Sequence, residues 1–126
     1  MSKTIKLTRH IKATPEEIYR ALTNPFSLEL WTGEPAEMSE AEGAEFSLFG
    51  GSIVGKNLEM IPEKRIRQHW YFGEDVVSDV TIDLAAEKNK TQISVTHEGV
   101  PDEAYENMLE GWKETYLGLL RDFFEV

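Results

Sequence analysis

Cysteine is absent from the 126 residues, so disulfide bonds and thiolate metal sites are both excluded. No apolar run approaches the ~20 residues that a membrane-spanning helix requires. The first ten residues alternate polar and apolar side chains and lack the continuous apolar stretch of a secretory signal. We therefore expect a cytoplasmic protein without a membrane span.

Basic residues are scarce, with 13 Lys and Arg against 23 Asp and Glu and a formal net charge of -10. Nucleic acid is not an expected partner, because its binding depends on Lys and Arg neutralising phosphates. Residues 21–55 contain no Lys or Arg but carry six glutamates: Glu29, Glu34, Glu37, Glu40, Glu42 and Glu45. This acidic segment either steers a basic partner surface or merely solvates the fold.

Motifs for catalysis and metal binding are missing as well. There is no P-loop, no dinucleotide-binding glycine pattern and no G-x-S-x-G elbow. The three histidines, His10, His69 and His97, lack the spacing of metal ligands. The sequence therefore predicts a protein that is not an enzyme and that needs neither metal nor cofactor.

Patterns of period two predict an antiparallel sheet of about six strands. The length of the chain suits one domain spanning 1–126. Gly50 and Gly51 suggest a tight hairpin turn, because glycine accepts positive φ. The predicted strands cover residues 4–12, the neighbourhood of 46–48, and residues 52–61, 65–72, 76–84 and 91–98.

Three helices are predicted from capping signals and from 3-and-4 spacing. Thr14 and Glu17 form a capping box before a helix that runs from Pro15 to about Thr23. A second short helix covers Pro25 to Trp31 and ends at Gly33. A long amphipathic helix of about 23 residues begins at Pro101. The fold class is α+β, with an antiparallel sheet wrapped around the C-terminal helix.

Three motifs of this sequence, at residues 13–25, 55–72 and 97–112, resemble one known family. The first reads ATPEEIYRALTNP, the second contains IPEKRI followed by Trp70 and Phe72, and the third contains HEGVP followed by Gly111 and Trp112. In this order they resemble the activators of heat shock protein 90 ATPase, within the START-like or SRPBCC superfamily. The resemblance covers nearly the whole chain.

The resemblance implies a helix-grip fold in which the long helix crosses a curved sheet, often with a cavity between them. It also implies a co-chaperone or stress-response role with a heat shock protein 90-type partner. In the eukaryotic activators the similar segment is the C-terminal domain. We expect the separate N-terminal domain, which carries much of the chaperone contact there, to be absent here.

Ligand-cavity candidates come from the sheet, from the long helix and from the second short helix. Aromatic candidates such as Trp70, Trp112 and Tyr116 either line a ligand cavity or simply form the core. Arg9 and Gln68 are polar residues on apolar strand faces, so they either orient a ligand's polar end or, for Arg9, reach the rim and pair with an acid. We interpret His97 as a structural, hydrogen-bonded histidine. The candidates are Arg9, Trp31, Phe46, Leu48, Gln68, Trp70, Phe72, Ile82, Val95, His97, Met108, Trp112 and Tyr116.

Gly111 and Gly118 stand inside the long helix, where each costs ~1 kcal/mol relative to alanine. Either the helix approaches the sheet closely there, which is the interpretation we prefer, or the missing side chains leave room for a ligand. Two functions thus stay open: a surface that acts on a chaperone, and a cavity that holds a small hydrophobic or lipid-like ligand.

Overall fold

The computed structural model describes residues 2–73 and 75–125. Within these ranges the strands form one six-stranded sheet in the order β1-β6-β5-β4-β3-β2, with every neighbouring pair antiparallel. The chain meanders from β2 to β6, and β1 pairs with β6. The strands are Ser2–Ile11 (β1), Glu45–Leu48 (β2), Ile53–Ile61 (β3), Arg65–Phe72 (β4), Val76–Glu87 (β5) and Lys90–Pro101 (β6).

Strand β6 is longer than its sequence pattern predicts. It continues past Glu98 because Val100 and Pro101 lie opposite Lys3 and Ser2 of β1. The prediction that Pro101 is the first helical residue is wrong, because Pro101 has an extended backbone and ends β6. Strand β5 likewise continues past Leu84 until Glu87 lies opposite Lys90. Pairing with a neighbouring strand extends both elements beyond their own apolar alternation.

The first two helices, α1 (Pro15–Thr23) and α2 (Pro25–Thr32), follow β1 directly. The capping box is confirmed, because Thr14 Oγ1 accepts from the Glu17 amide at 3.1 Å and Glu17 Oε1 accepts from the Thr14 amide at 2.9 Å. The side chain of Asn24 caps α2 by accepting from the Ser27 amide. Gly33, with φ of 76°, ends α2 in the left-handed conformation.

The turn between β2 and β3 differs from the predicted tight glycine hairpin. Pairing ends at Leu48 opposite Ile53, so four residues form the connection. Phe49, Gly50 and Gly51 have φ values of 53°, 64° and 99°. The wider turn buries the ring of Phe49, which is 6% exposed. Burial of this large apolar side chain explains why the chain does not take the shorter turn.

The C-terminal helix runs from residue 102 to residue 124 and changes its winding three times. A 3₁₀ turn (Asp102–Ala104) leads into α3 (Tyr105–Glu110), a π segment (Gly111–Tyr116) and α4 (Leu117–Phe124). In the π segment the Leu117 amide donates to the Trp112 carbonyl, five residues back. The expected long helix is present, but its middle is wound as a π-helix and not as a continuous α-helix.

The core lies between the sheet and the helices, which confirms the α+β helix-grip architecture. Inward strand residues such as Ile82, Ile93 and Val95 meet Trp112 and Leu120 of the C-terminal helix there. In the described part of the chain, no helix is long and apolar enough to cross a membrane.

Candidate functional site

Two stacked tryptophans, one from the sheet and one from the helix, occupy the centre of the site. The rings of Trp70 on β4 and Trp112 in the π segment lie 4.7 Å apart at an angle of 14°. Both side chains are buried. Because they come from opposite layers, their contact fixes the C-terminal helix against the sheet.

His97 on β6 hydrogen bonds through both ring nitrogens. Trp112 Nε1 donates to His97 Nδ1 at 3.0 Å, and His97 Nε2 lies 2.7 Å from Ser78 Oγ. The Ser78 hydroxyl donates to the Trp70 carbonyl at 2.9 Å. Its oxygen therefore accepts from a protonated Nε2, which identifies the neutral tautomer. The prediction that His97 is hydrogen-bonded is confirmed, and its structural role stays a prediction.

Burial determines the charge of His97. The side chain is 0% exposed, and desolvation lowers its pKa from 6.5 to about 4. A proton on Nδ1 would also face the indole N–H of Trp112, donor against donor. His97 is therefore neutral near pH 7, and neither nitrogen is available to take a proton from a substrate.

Gln68 on β4 holds the other tryptophan by the same kind of contact. Its Oε1 accepts from Trp70 Nε1 at 2.9 Å, and its Nε2 donates to Asn57 Oδ1 at 3.0 Å. Asn57 on β3 in turn donates to the Ser39 carbonyl at 3.0 Å. Gln68 is thus engaged within the protein and ties Trp70 to the loop before β2, and it does not line the cavity described below.

Further rings extend the tryptophan pair into an aromatic cluster, which we define as Trp31, Phe49, Trp70, Phe72, His97, Trp112 and Tyr116. Centroid distances between neighbours range from 4.6 Å for Trp112 and Tyr116 to 6.4 Å for Phe49 and Tyr116. Trp31 Nε1 donates to the Ala21 carbonyl at 2.8 Å. Burial raises the pKa of the Tyr116 hydroxyl far above 10, so the group stays protonated.

A cavity of about 270 Å³ opens beside this cluster, between the C-terminal helix and the start of β3. On the helix side, two adjacent rows with a spacing of four residues face it. One row is 107, 111 and 115, and the other is 108, 112 and 116. The lining residues are Glu34, Phe49, Ser52, Ile53, Trp70, Asn107, Met108, Gly111, Trp112, Thr115 and Tyr116.

Gly111 lines this cavity and faces open space. A Cβ built on Gly111 would meet no heavy atom within 4 Å. The helix therefore does not approach the sheet closely at this point, and the preferred interpretation of Gly111 is wrong. At Gly118 a Cβ would lie 3.1 Å from the Lys113 carbonyl of the same helix, so close contact with the sheet is not the reason there either.

Four of the predicted cavity residues line the cavity: Trp70, Met108, Trp112 and Tyr116. Trp31, Phe72 and His97 lie behind it in the aromatic cluster. Phe46, Leu48, Ile82 and Val95 are buried core residues away from the lining. Arg9 is also away from it. Its guanidinium donates to the Thr8 carbonyl at 2.9 Å, and it forms no ion pair with an acid among residues 2–73 and 75–125.

Sequence reasoning missed the cavity residues that come from irregular backbone and from the polar row of the helix. Phe49 and Ser52 belong to the turn that was predicted too short, and Glu34 follows α2. Asn107 and Thr115 flank Gly111 at four-residue spacing, which is the one signal that could have identified them.

The remaining histidines take part in exposed pairs. His10 Nδ1 lies 2.7 Å from Glu87 Oε1, and His69 Nε2 lies 3.2 Å from Asp79 Oδ1. Across residues 2–73 and 75–125, no three His, Asp or Glu side chains are grouped so as to hold a metal ion.

Comparison with known proteins identifies relatives along almost all of the chain. The family model "Activator of Hsp90 ATPase homolog 1-like protein" matches residues 12–125. An "Activator of 90 kDa heat shock protein ATPase homolog" from Dictyostelium discoideum is 32% identical over 98% of this chain. That match covers 33% of the relative, so the chain spans about a third of the length of the curated relatives it matches.

Solved structures show the same architecture. An HSP90 activator from Plasmodium falciparum is 28% identical with a TM-score of 0.85, and the alignment covers 91% of each chain. A protein from Chromobacterium violaceum is 32% identical with a TM-score of 0.79, and 98% of each chain is covered.

Proposed function

Because the chain belongs to the Activator of Hsp90 ATPase homolog 1-like family, we propose that it is a non-catalytic binding protein for a chaperone of the heat shock protein 90 class. The observation that carries this proposal is the family match over residues 12–125. The relatives it resembles are named as activators of an ATPase and not as enzymes in their own right. The proposal concerns binding, since the chain spans only about a third of those relatives.

Helix α2 offers a surface for such a partner, because it is apolar on two faces. Leu28 and Trp31 point into the core, whereas Phe26 and Leu30 are 71% and 58% exposed. Phe26 and Leu30 stand four residues apart and therefore share one face of α2. Exposed apolar groups next to one another commonly mark a contact surface.

The charge around this apolar pair indicates the chemistry of the partner. The acidic segment of residues 21–55 contains α2 and has six glutamates and no Lys or Arg. Glu29 lies on α2 itself, and Glu34 lies just beyond Gly33, which ends the helix. A partner surface with an apolar centre and a basic rim would complement this arrangement.

The test is an NMR titration of the labelled protein with the heat shock protein 90-type chaperone of the same organism. We expect shifts at Phe26, Leu30 and their neighbours, and weaker binding as the salt concentration rises. The double variant Phe26→Ser/Leu30→Ser should bind about tenfold or more weakly, because central apolar contacts dominate most interfaces.

Val77→Ser provides the matched control, because Val77 is 49% exposed but lies on β5. This variant should bind like the unaltered protein. Equal affinity of the unaltered protein and the double variant would exclude α2 as the surface. The absence of any shift would contradict chaperone binding itself.

A second candidate function is the binding of a small molecule in the cavity beside Trp70 and Trp112. The observation in favour of this function is Gly111, which lines the cavity and faces open space at a helix position where alanine would be more stable. The cavity combines apolar walls with a few polar groups, which is typical of ligand sites. The π segment that forms one wall is also of a kind found often at functional sites.

A further inference from the structure

Four of the eleven residues that line the cavity are aromatic. Phe49, Trp70, Trp112 and Tyr116 contribute their rings, and Ile53 and Met108 add apolar surface. Aromatic rings carry negative charge on their faces and attract cations as well as apolar groups. Such walls alone would accept either a neutral or a cationic ligand.

The charge in the lining distinguishes between these two ligand classes. Among the lining residues of the described chain, Glu34 is the one with a charged side chain, and no Lys or Arg accompanies it. The neighbouring acidic segment has no basic residue from 21 to 55 either. A fatty acid or another anion would meet this carboxylate without a compensating cation, whereas a positively charged ligand would be attracted.

The size of the cavity restricts the ligand further. A volume of about 270 Å³ is slightly below the usual range for drug-sized ligands. It suits a molecule on the order of ten non-hydrogen atoms. A bare metal ion does not fit the chemistry, because one carboxylate among aromatic rings lacks the several oxygen ligands that hard cations need.

We infer that the ligand of this cavity is a small organic cation, with an alkylated ammonium group close to the aromatic walls and to the Glu34 carboxylate. The inference rests on the second function proposed above and specifies its ligand class. The apolar part of the cation contacts Ile53 and Met108, and the hydroxyl and amide groups of Ser52, Asn107 and Thr115 lie at the same cavity.

An isosteric pair of probes tests the charge of the ligand directly. Trimethylphenylammonium and tert-butylbenzene have nearly the same shape and differ by one positive charge, and benzoate serves as an anionic aromatic probe. Binding is followed by the indole N–H signals of Trp70 and Trp112 at about 0.15 M salt, which screens unspecific attraction to the acidic surface. We expect the cation to bind about tenfold more tightly than the neutral isostere.

Two glutamine variants separate the site from the general charge of the protein. Glu34→Gln should weaken cation binding about threefold and leave the neutral probe unaffected. Glu37→Gln removes an equal charge from the same segment, but Glu37 does not line this cavity, so both affinities should stay unchanged.

Filling the cavity provides the remaining control. Gly111→Leu should abolish binding of every probe. If the Gly111→Leu variant does not fold, Thr115→Trp at the exposed rim serves as the control in its place. Equal or tighter binding of tert-butylbenzene or benzoate would overturn the inference but keep the ligand-binding function. If no probe shifts Trp70 or Trp112 in the unaltered protein, the ligand-binding function fails as well.

Discussion

Gly111 and Gly118 are seven residues apart on the C-terminal helix, yet their surroundings differ at the level of single atoms. A side chain on Gly111 would enter open space, whereas a Cβ on Gly118 would lie 3.1 Å from the Lys113 carbonyl. That carbonyl is five residues back, so the π winding and not the sheet crowds Gly118. The two glycines, for which the sequence predicted one common role, thus lie in two different environments.

Substitution by alanine at each position should distinguish the open environment of Gly111 from the crowded one of Gly118. Gly111→Ala should raise the free energy of unfolding by about 0.5 to 1 kcal/mol, because the helical backbone accepts alanine and the unfolded chain loses freedom. Gly118→Ala should gain less or lose stability, because its Cβ is crowded. Thermal unfolding of both variants measures the difference, and equal stabilisation would contradict the crowding at Gly118.

The capping box at the start of α1 acts at the scale of a whole element. Thr14 and Glu17 satisfy each other's backbone amides, so the first turn of the helix has partners for two otherwise free donors. Helix α1 then brings the Ala21 carbonyl to Trp31 Nε1 at 2.8 Å. The start of α1 is therefore connected to the position of α2 and its tryptophan.

Removing the cap should weaken this element measurably. Thr14→Ala should lower the free energy of unfolding by about 1 kcal/mol, because the Glu17 amide loses its acceptor. Thr14→Ser keeps a hydroxyl in the same place and should stay within about 0.5 kcal/mol of the unaltered protein. Urea unfolding checks both values, and an equal loss in the two variants would show that the hydroxyl is not the reason.

The stability of the whole molecule depends on the neutral form of His97, because this ring joins β5, β6 and the C-terminal helix. It contacts Ser78 and Trp112 by hydrogen bonds and lies among the rings of Trp70 and Phe72. None of these neighbours carries a charge that could stabilise an imidazolium. Protonation therefore favours the unfolded chain, in which the histidine is hydrated.

This coupling predicts a loss of stability in mild acid. The pKa of His97 is about 4 in the folded protein against 6.5 for an ordinary histidine. The neutral state of His97 therefore contributes roughly 3 kcal/mol to the free energy of unfolding. This contribution is fully present above pH 6.5 and is lost as the pH falls towards 4. His97→Gln should be less stable at pH 7 but should show a flatter curve between pH 7 and pH 4. Parallel curves from urea unfolding would contradict this assignment.

Local patterns predicted much of the fold from single segments. Alternation along β4 placed Ile66, Gln68 and Trp70 on the buried face, and all three are buried. Thr14, Pro15 and Glu17 fixed the start of α1. These predictions succeed because the interactions that decide them lie within a few residues of one another.

The sequence by itself therefore determined the buried face of strands such as β4 and the start of α1, because that information is carried by residue spacing. Tertiary structure alone decided the partners, since Trp112 meets His97 across 15 residues and Ser78 meets His97 across 19. It also decided that α2 exposes Phe26 and that the π segment leaves a cavity at Gly111. Such features depend on how the helix is seated on the sheet, and no local periodicity contains that placement.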